Sequence, residues 1–462
     1  MPTYHTSLRI LAVTCSLGAL GACTFYHPVP LDGRELETVL ASPDAAELAR
    51  AAPLLHHPRL APMQLDLTQP LTPEAIGVIS VLANPDLRAL RAEERVADAQ
   101  VFASGLLPDP QVGFGRDRVS SAPDASYAAA WAGSLALDVL GPLLTNFADR
   151  AAARAHADSV RLDIAWAEWS TAEQARLMAV RLHYQQRAAL LASEAAVIAE
   201  RALTRTLVAG ERRDLKADEI EIRRIAAADA EARALAATRD AGDTRLELMR
   251  LLGFPPDTQL ALASPAALGP WHGADPSALF TVARAARLDL QALAAGYASQ
   301  QQVLRRAVLG QYPRVAVTLN RARDTSHVYT AGQAVSFELP LWNRNRGAIR
   351  IADADRGRLR AEYAARLHQT RADIAALVAA LDLDERTRAA LEVQAPELER
   401  IASAYEAAAA RGDATQPVAE AARAAALDRG LTLLAAQQAC AEERIGLAIA
   451  IGQPLTDAEL AP

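Results

Sequence analysis

Residues 143–209 read LLTNFADRAAARAHADSVRLDIAWAEWSTAEQARLMAVRLHYQQRAALLASEAAVIAERALTRTLVA, without one glycine or proline. Apolar side chains recur there at helical spacing, as at Leu162, Trp166 and Trp169. As a single helix these 67 residues make a rod of roughly 100 Å. Mean helices run about 11–12 residues, so no ordinary globular core accommodates such a rod. It must pack in a coiled-coil or helical array, where abundant alanine lets neighbours approach closely.

Upstream, Asn84-Pro85 is a helix start with a mechanism: Asn caps free amides, and Pro sits in the first turn, where its missing N–H costs nothing. That helix is expected to run to about Leu106 and to stop at Leu107-Pro108-Asp109-Pro110. Between it and the long rod, residues 111–119 and 127–140 carry glycine and β-formers. Leu135-Ala136-Leu137-Asp138-Val139 alternates with period two, the mark of a strand with different environments on its two faces. Ser120-Ser121-Ala122-Pro123-Asp124 is the intervening turn.

The arrangement then returns. Asp86-Leu87 recurs as Asp289-Leu290 at an offset of 203, Leu107-Pro108 as Tyr312-Pro313 at 205, Gly210 as Gly412 at 202 and Gly253 as Gly452 at 199. Four landmarks at nearly one offset argue for duplication. In the second hairpin Val315, Val317 and Leu319 share a face, as do Val335, Phe337 and Leu339, while Ser336 and Glu338 face the other way. Arg323-Asp324-Thr325-Ser326-His327 is the polar loop between them.

Two units of short helix, hairpin, very long helix and returning helix supply four strands. Their length and apolar face suit a transmembrane barrel, yet closed barrels begin at about eight strands. Two copies would give eight strands with a filled interior, and three would give 12 with room for a lumen, which favours a trimer. By pattern alone the hairpins are also readable as small caps on a soluble coiled coil.

The N-terminus addresses the compartment. Met1 to Arg9 is short and basic, Ile10 to Ala19 is apolar, and small residues follow, which is a secretory signal and too short to span a bilayer. Cys15 lies within it. Leu20-Gly21-Ala22-Cys23 resembles the bacterial lipobox, so Cys23 is the expected lipidation site, carrying diacylglycerol and an N-acyl chain, and Thr24 after it favours outer-membrane delivery. Several acyl chains make such an anchor stable. Cys440 is then the mature chain's one cysteine, expected to be packing on an alanine-rich helix. The expected divisions are 1–22 lipoprotein signal peptide, 23–73 proline-rich extended strap, 74–270 first repeat, and 271–462 second repeat with C-terminal tail.

Composition excludes other classes. The 462 residues are 51% hydrophobic with a net charge of −7, so neither a disordered chain nor a protein held by nucleic-acid phosphates fits. No P-loop, His-Glu-x-x-His or Gly-x-Ser-x-Gly motif occurs, so no enzyme is expected. His56-His57 reads as a surface pair, no His pair sits at helical ligand spacing, and Met63, Met178 and Met249 form no thioether ladder, so no metal site is expected.

Asn84-Pro85-Asp86-Leu87, the stretch Gly105-Leu106-Leu107-Pro108-Asp109-Pro110, the strand end Leu137-Asp138-Val139-Leu140-Gly141, and Pro340-Leu341-Trp342-Asn343-Arg344-Asn345-Arg346-Gly347 together resemble the TolC family of outer-membrane efflux proteins. The last motif and Leu-Leu-Pro-Asp-Pro are most similar to its heavy-metal branch, the CzcC- and CusC-like factors, over about residues 72–456. The resemblance implies a mainly α fold with a transmembrane β-barrel: a homotrimeric 12-strand barrel in outer-membrane lipid, continuing into a long periplasmic α-helical barrel. It also implies a periplasmic adaptor (membrane fusion protein) and a proton-driven, RND-type inner-membrane pump as partners. A channel of this kind passively conducts metal cations or small toxic compounds. The same architecture serves as the exit duct of type I protein secretion, and a structural helical lipoprotein tether is the more distant alternative.

The family often narrows the periplasmic mouth with an acidic ring, for which Asp413 and Glu420 are the available acids here. Pro417 suits the first turn of the following helix, and either Ala408 or Gly412 matches the turn position. Gly210 and Gly412 are read as left-handed breaks ending the two rods. The turns there, with Arg212, Arg213, Asp214 and Arg411, are the expected adaptor contacts.

Overall fold

The computed structural model describes residues 26–31, 33–118, 120, 129–138, 140–212 and 216–455. The signal peptide, the lipobox with Cys23, the first hairpin's turn at 121–128, and Arg213 and Asp214 lie outside the described residues. Residues 1–42 form one unit, in which helix α1 (Gly33–Leu40) is described, and residues 43–462 form a second, to which everything below refers.

That unit opens with α2 (Ala45–Ala51), started by the Asp44 carboxylate accepting from Ala46 N–H at 3.0 Å. The expected extended strap is therefore partly helical, because Asp44 supplies a cap that proline counting overlooks. Leu48, Ala52, Leu65 and Leu71 anchor this segment by burial in the core. Leu71 also bonds backbone to backbone with Ala261 and Ala263, each at 2.8 Å.

Next come α3 (Pro73–Ala83), α4 (Pro85–Ser104), β1 (Gln111–Asp117), β2 (Ala130–Asp138), α5 (Leu140–Glu211) and α6 (Ala217–Leu252). The same order follows as α7 (Pro276–Ala286), α8 (Leu288–Leu309), β3 (Arg314–Arg323), β4 (Tyr329–Glu338), α9 (Arg346–Arg411) and α10 (Gln416–Ile451). Helices α5 and α9 have 72 and 66 residues, and α6 and α10 have 36 each. Asn84 caps α4, its Oδ1 accepting from Leu87 N–H at 2.8 Å, with Pro85 in the first turn. The sequence pattern misses α3 and α7. Helix α3 is buried on nearly every side, from Ile76 to Val81, so it shows no polar stripe from which a period of 3.6 is read.

Each half closes on itself in the same way. Helices α6 and α10 end at Gly253 (φ 68°) and Gly452 (φ 82°), both left-handed. A Cβ on Gly253 would lie 3.0 Å from the Ala83 carbonyl oxygen, and one on Gly452 would lie 3.0 Å from Arg287 Cα. The junction before α4 or α8 therefore presses directly on the end of the returning helix. Asn84 Nδ2 donates to Leu251 O at 2.7 Å in the first half, and Arg287 Nη1 donates to Ala450 O at 2.9 Å in the second. Two different side chains thus satisfy the same kind of orphan carbonyl.

The four strands form one antiparallel sheet in the order β1-β2-β3-β4, with the β2–β3 pairing joining the halves. Among the helices, α5 packs on α6, α8 and α10, and α9 packs on α10, α8 and α7. Among the four longest helices the packing order is α6-α5-α10-α9, so α6 and α9 are the two edges of that layer, as β1 and β4 are of the sheet. Both helical edges expose apolar side chains, Ile222, Ile225 and Leu235 on α6 and Ile351, Leu383 and Val393 on α9.

Candidate functional site

The register of the sheet sorts its side chains into two unlike faces. One carries Val112 and Phe114 of β1, Trp131, Leu135 and Leu137 of β2, Val315, Val317 and Leu319 of β3, and Tyr329, Val335 and Phe337 of β4. Val112, Phe114, Val335 and Phe337 are exposed there, at 80%, 76%, 53% and 62%. The opposite face is small and polar, with Gln111, Ser134, Thr318, Asn320, Thr330 and Ser336 among its residues. An exposed apolar face backed by a small polar one is the pattern of a sheet with lipid on one side and water on the other. Neither β1 nor β4 has a second partner strand among the described residues, so each presents a row of open backbone groups.

The far ends of the long helices carry the other expected residues. Gly412 is left-handed (φ 83°), with Gly412 N–H donating to Ala409 O at 3.1 Å and Asp413 N–H to Ala408 O at 2.9 Å. This paired closure makes Gly412, not Ala408, the turn position. Gly210 is different. It lies within α5, which runs to Glu211, and it is not among the left-handed glycines. The expected left-handed break there is corrected: a Cβ on Gly210 would meet Ile220 Cδ1 at 2.6 Å, so the residue's smallness admits the neighbouring helix. Arg212 is exposed just beyond the helix end.

Asp413 is exposed and pairs with Arg411 Nε at 3.0 Å. Glu420 lies one turn into α10, after Pro417, and its largely buried carboxylate pairs with Arg205 of α5. The structure does not bring the two acids together within one chain. The Arg205–Glu420 pair belongs to a series along the α5–α10 seam. Arg181 Nε and Nη2 hold Glu442 at 2.9 and 2.6 Å, and Arg423 Nη2 holds Glu194 at 2.6 Å. The charge order reverses at the middle pair, so sliding one helix by a turn would bring like charges toward each other. Apolar contact among Val180, Tyr184, Leu434 and Ile445 packs the seam on both sides of the Arg181–Glu442 pair. Sequence reasoning misses this series because its partners lie more than 200 residues apart.

Two further expectations meet the structure here. Cys440 is fully buried, and that burial pushes its thiol up to about 12, which leaves it unreactive packing. His57 is not on the surface: its imidazole is 1% exposed, Nδ1 accepts from Arg59 and Leu60 N–H at 3.0 and 3.1 Å, and Nε2 donates to Ala165 O at 2.9 Å. Burial lowers its pKa, so it remains neutral and clamps the strap to α5. Among the described residues no group of three or more His, Cys, Asp or Glu is placed to hold a metal ion, and no helix is long and apolar enough to cross a membrane.

No protein-family model matches the chain, and no curated protein sequence does. Solved structures do. The outer membrane protein VceC of Vibrio cholerae matches with a TM-score of 0.66 at 15% identity, over 83% of this chain and 97% of VceC. The CmeC outer membrane channel of Campylobacter jejuni matches with a TM-score of 0.68 at 14% identity, over 82% and 85%. CusC, described for its transmembrane channel formation, matches with a TM-score of 0.65 at 13% identity, over 89% and 99%. The chain shares the fold of these outer-membrane and channel proteins.

Proposed function

We propose that three copies of this chain form an outer-membrane channel of the TolC family, the exit duct of a tripartite efflux system. The observation that carries the reading is the two-faced sheet with both edges open, continuous with helices whose own layer is open at both edges. Lipid leaves no water to satisfy the free backbone groups of β1 and β4, so a neighbour's strand must. The two edges differ, which makes the contact head to tail, and a head-to-tail contact that closes produces a ring. Three chains of four strands close a 12-strand barrel with a lumen lined by the polar face. The elongated α5, α6, α9 and α10 would then ring a passage across the periplasm toward an adaptor and an inner-membrane RND-type pump.

Detergent-solubilised protein is expected to scatter light as three chains and to conduct in planar bilayers. A monodisperse, non-conducting monomer would overturn the channel reading. CusC is no nearer to the chain than VceC or CmeC, so the heavy-metal reading rests on the motifs at residues 106–110 and 340–347, and metal cations or small toxic compounds are the proposed cargo. Genomic neighbours discriminate this from a protein-secretion duct.

The proposed anchor is Cys23, followed by Thr24. Cys23→Ala is expected to abolish both acylation and signal processing, read by mass spectrometry of the membrane fraction. A mature N-terminus elsewhere without acyl mass would remove the anchor and leave the barrel reading untouched.

The proposed gate is Asp413 with Glu420, three of each at the periplasmic mouth, where like charges at close range attract and hold cations. Gly210 at the end of α5, and Arg212, Arg213, Arg411 and Gly412 at the helix-hairpin ends, are the proposed adaptor contacts. Asp413→Ala with Glu420→Ala is expected to raise single-channel conductance and to weaken block by multivalent cations. Glu420→Ala also frees Arg205, a partly exposed pair whose loss costs about 0–1 kcal/mol, so the trimer is expected to survive the change. Wild-type conductance and block in the double variant would place the constriction elsewhere.

A further inference from the structure

The apolar face of the sheet is not apolar throughout. Counting from the hairpin tips, its first row is Arg116, Trp131, Arg323 and Tyr329, paired in register across the four strands. Its second is Phe114, Gly133, Arg321 and Ala331. Beyond these the rows carry Val112, Leu135, Leu319 and Gln333, then Leu137, Val317 and Val335, then Val315 and Phe337. Three arginines therefore stand on the face proposed to meet lipid, all at its tip end, and no strand residue of that face is a carboxylate. Among the described residues none of the three forms an ion pair, whereas the arginines of the α5–α10 seam do.

Their height is set by the aromatic residues beside them. Trp131 and Tyr329 meet edge to face at 6.3 Å, and the Arg323 guanidinium lies 5.9 Å from the Tyr329 ring. Trp and Tyr mark the boundary between acyl chains and headgroups. From Tyr329 to Phe337 the strand runs about 27 Å, or about 20 Å along the membrane normal after the usual tilt, which matches most of an apolar band. Arginine is costly at the midplane but tolerated near the interface, from where its stem reaches outward. Gly133 adds a notch. With no side chain between Phe114 and Arg321, the face holds a shallow groove of about 390 Å³ lined by Val112, Phe114, Leu135 and Leu319, with Arg321 at its rim.

We propose that Arg116, Arg321 and Arg323 form a binding surface for a phosphate-bearing glycolipid of the outer leaflet, its phosphates on the guanidinium groups and an acyl chain along the groove at Gly133. The proposal rests on the barrel reading. Guanidinium groups with unused donors and no carboxylate on their face complement phosphate monoesters bidentately. In this arrangement the lipid completes the rim of the barrel and holds it at a fixed depth.

The test uses the purified full-length trimer, incubated with diphosphorylated lipid A, dephosphorylated lipid A or phosphatidylcholine, and read by native mass spectrometry for retained lipid. Wild type is expected to retain the diphosphorylated form selectively. The variant carrying Arg116→Gln, Arg321→Gln and Arg323→Gln is expected to lose roughly 100-fold in that affinity, about fivefold for each arginine, and to bind phosphatidylcholine as before. Excess inorganic phosphate is expected not to displace the lipid, since it lacks the acyl chain. Equal retention of phosphorylated and dephosphorylated lipid by wild type, or unchanged retention by the variant, would overturn the proposal. The first comparison needs no variant, so it stands even where the triple change disturbs assembly. Planar-bilayer conductance of the same wild-type preparation separates the two readings: a conducting trimer without lipid selectivity defeats this proposal alone.

Discussion

Leu319→Arg is expected to abolish membrane insertion, and Thr318→Arg, one residue away, to leave it intact. Leu319 lies mid-strand on the apolar face between Leu135 and Gln333, while Thr318 lies on the small polar face between Ala136 and Ala334. A cationic side chain at the lipid midplane costs about 2–4 kcal/mol in each chain, and a trimer meets that cost three times. On the polar face the same charge stays hydrated, so Thr318→Arg is expected to insert normally and to shift the channel toward anions. Membrane fractionation and reversal potentials in planar bilayers check both. Normal insertion of the Leu319 variant would mean that the apolar face meets protein and not lipid.

Arg287→Ala is expected to destabilise the chain by about 3–5 kcal/mol, the usual cost of stranding a buried partner charge. Arg287 is 7% exposed and Asp289 is 5% exposed. The guanidinium holds both carboxylate oxygens, Nε to Oδ1 at 2.9 Å and Nη2 to Oδ2 at 2.7 Å, donates to Ala450 O, and lies 4.6 Å from the Trp166 ring. Arg366 Nη1, at 3.2 Å from Asp289 Oδ2, keeps the loss from being larger. Adding Asp289→Asn to the variant is expected to recover a large part of it, since the stranded charge and not the missing bond dominates. The counterpart in the first half is neutral, so Asn84→Ala is expected to cost less, about 2 kcal/mol, for the lost cap and the unpaired Leu251 carbonyl. Thermal denaturation of the solubilised protein reads all three. A loss for Arg287→Ala no greater than that for Asn84→Ala would show that Asp289 is adequately held by Arg366 alone.

The two cases differ in how far they are legible in the chain itself. Alternation in Val315, Val317 and Leu319 is a local property of a strand, so it tells the two faces apart without any partner. The rod at 143–209, the start at Asn84-Pro85 and the left-handed turn at Gly412 are likewise local, decided by which residues interrupt or cap a helix. Carried on to Arg321 and Arg323, the same alternation puts both arginines on the apolar face. What it cannot supply is their row-mates Arg116 and Trp131, because register with another strand is not contained in either strand.

The features decided only by tertiary structure all depend on a distant neighbour. Gly210 signals a turn until Ile220 is seen filling the space a Cβ would occupy. His57 in a proline-rich segment signals a surface until the Ala165 carbonyl is seen accepting a hydrogen bond from its Nε2–H and the backbone at Arg59 and Leu60 supplies two more. Helix α3 lacks amphipathic period because the strap and α5 bury it from several directions. The Arg181–Glu442, Glu194–Arg423 and Arg205–Glu420 pairs become visible only when α5 and α10 lie antiparallel. Local chain stiffness and side-chain period thus determined the long helices, the hairpins and the strand faces from sequence alone. Which face packs, which charge is matched and which glycine is crowded followed from contacts between residues far apart in the chain, and contact free energy is a property of the pair.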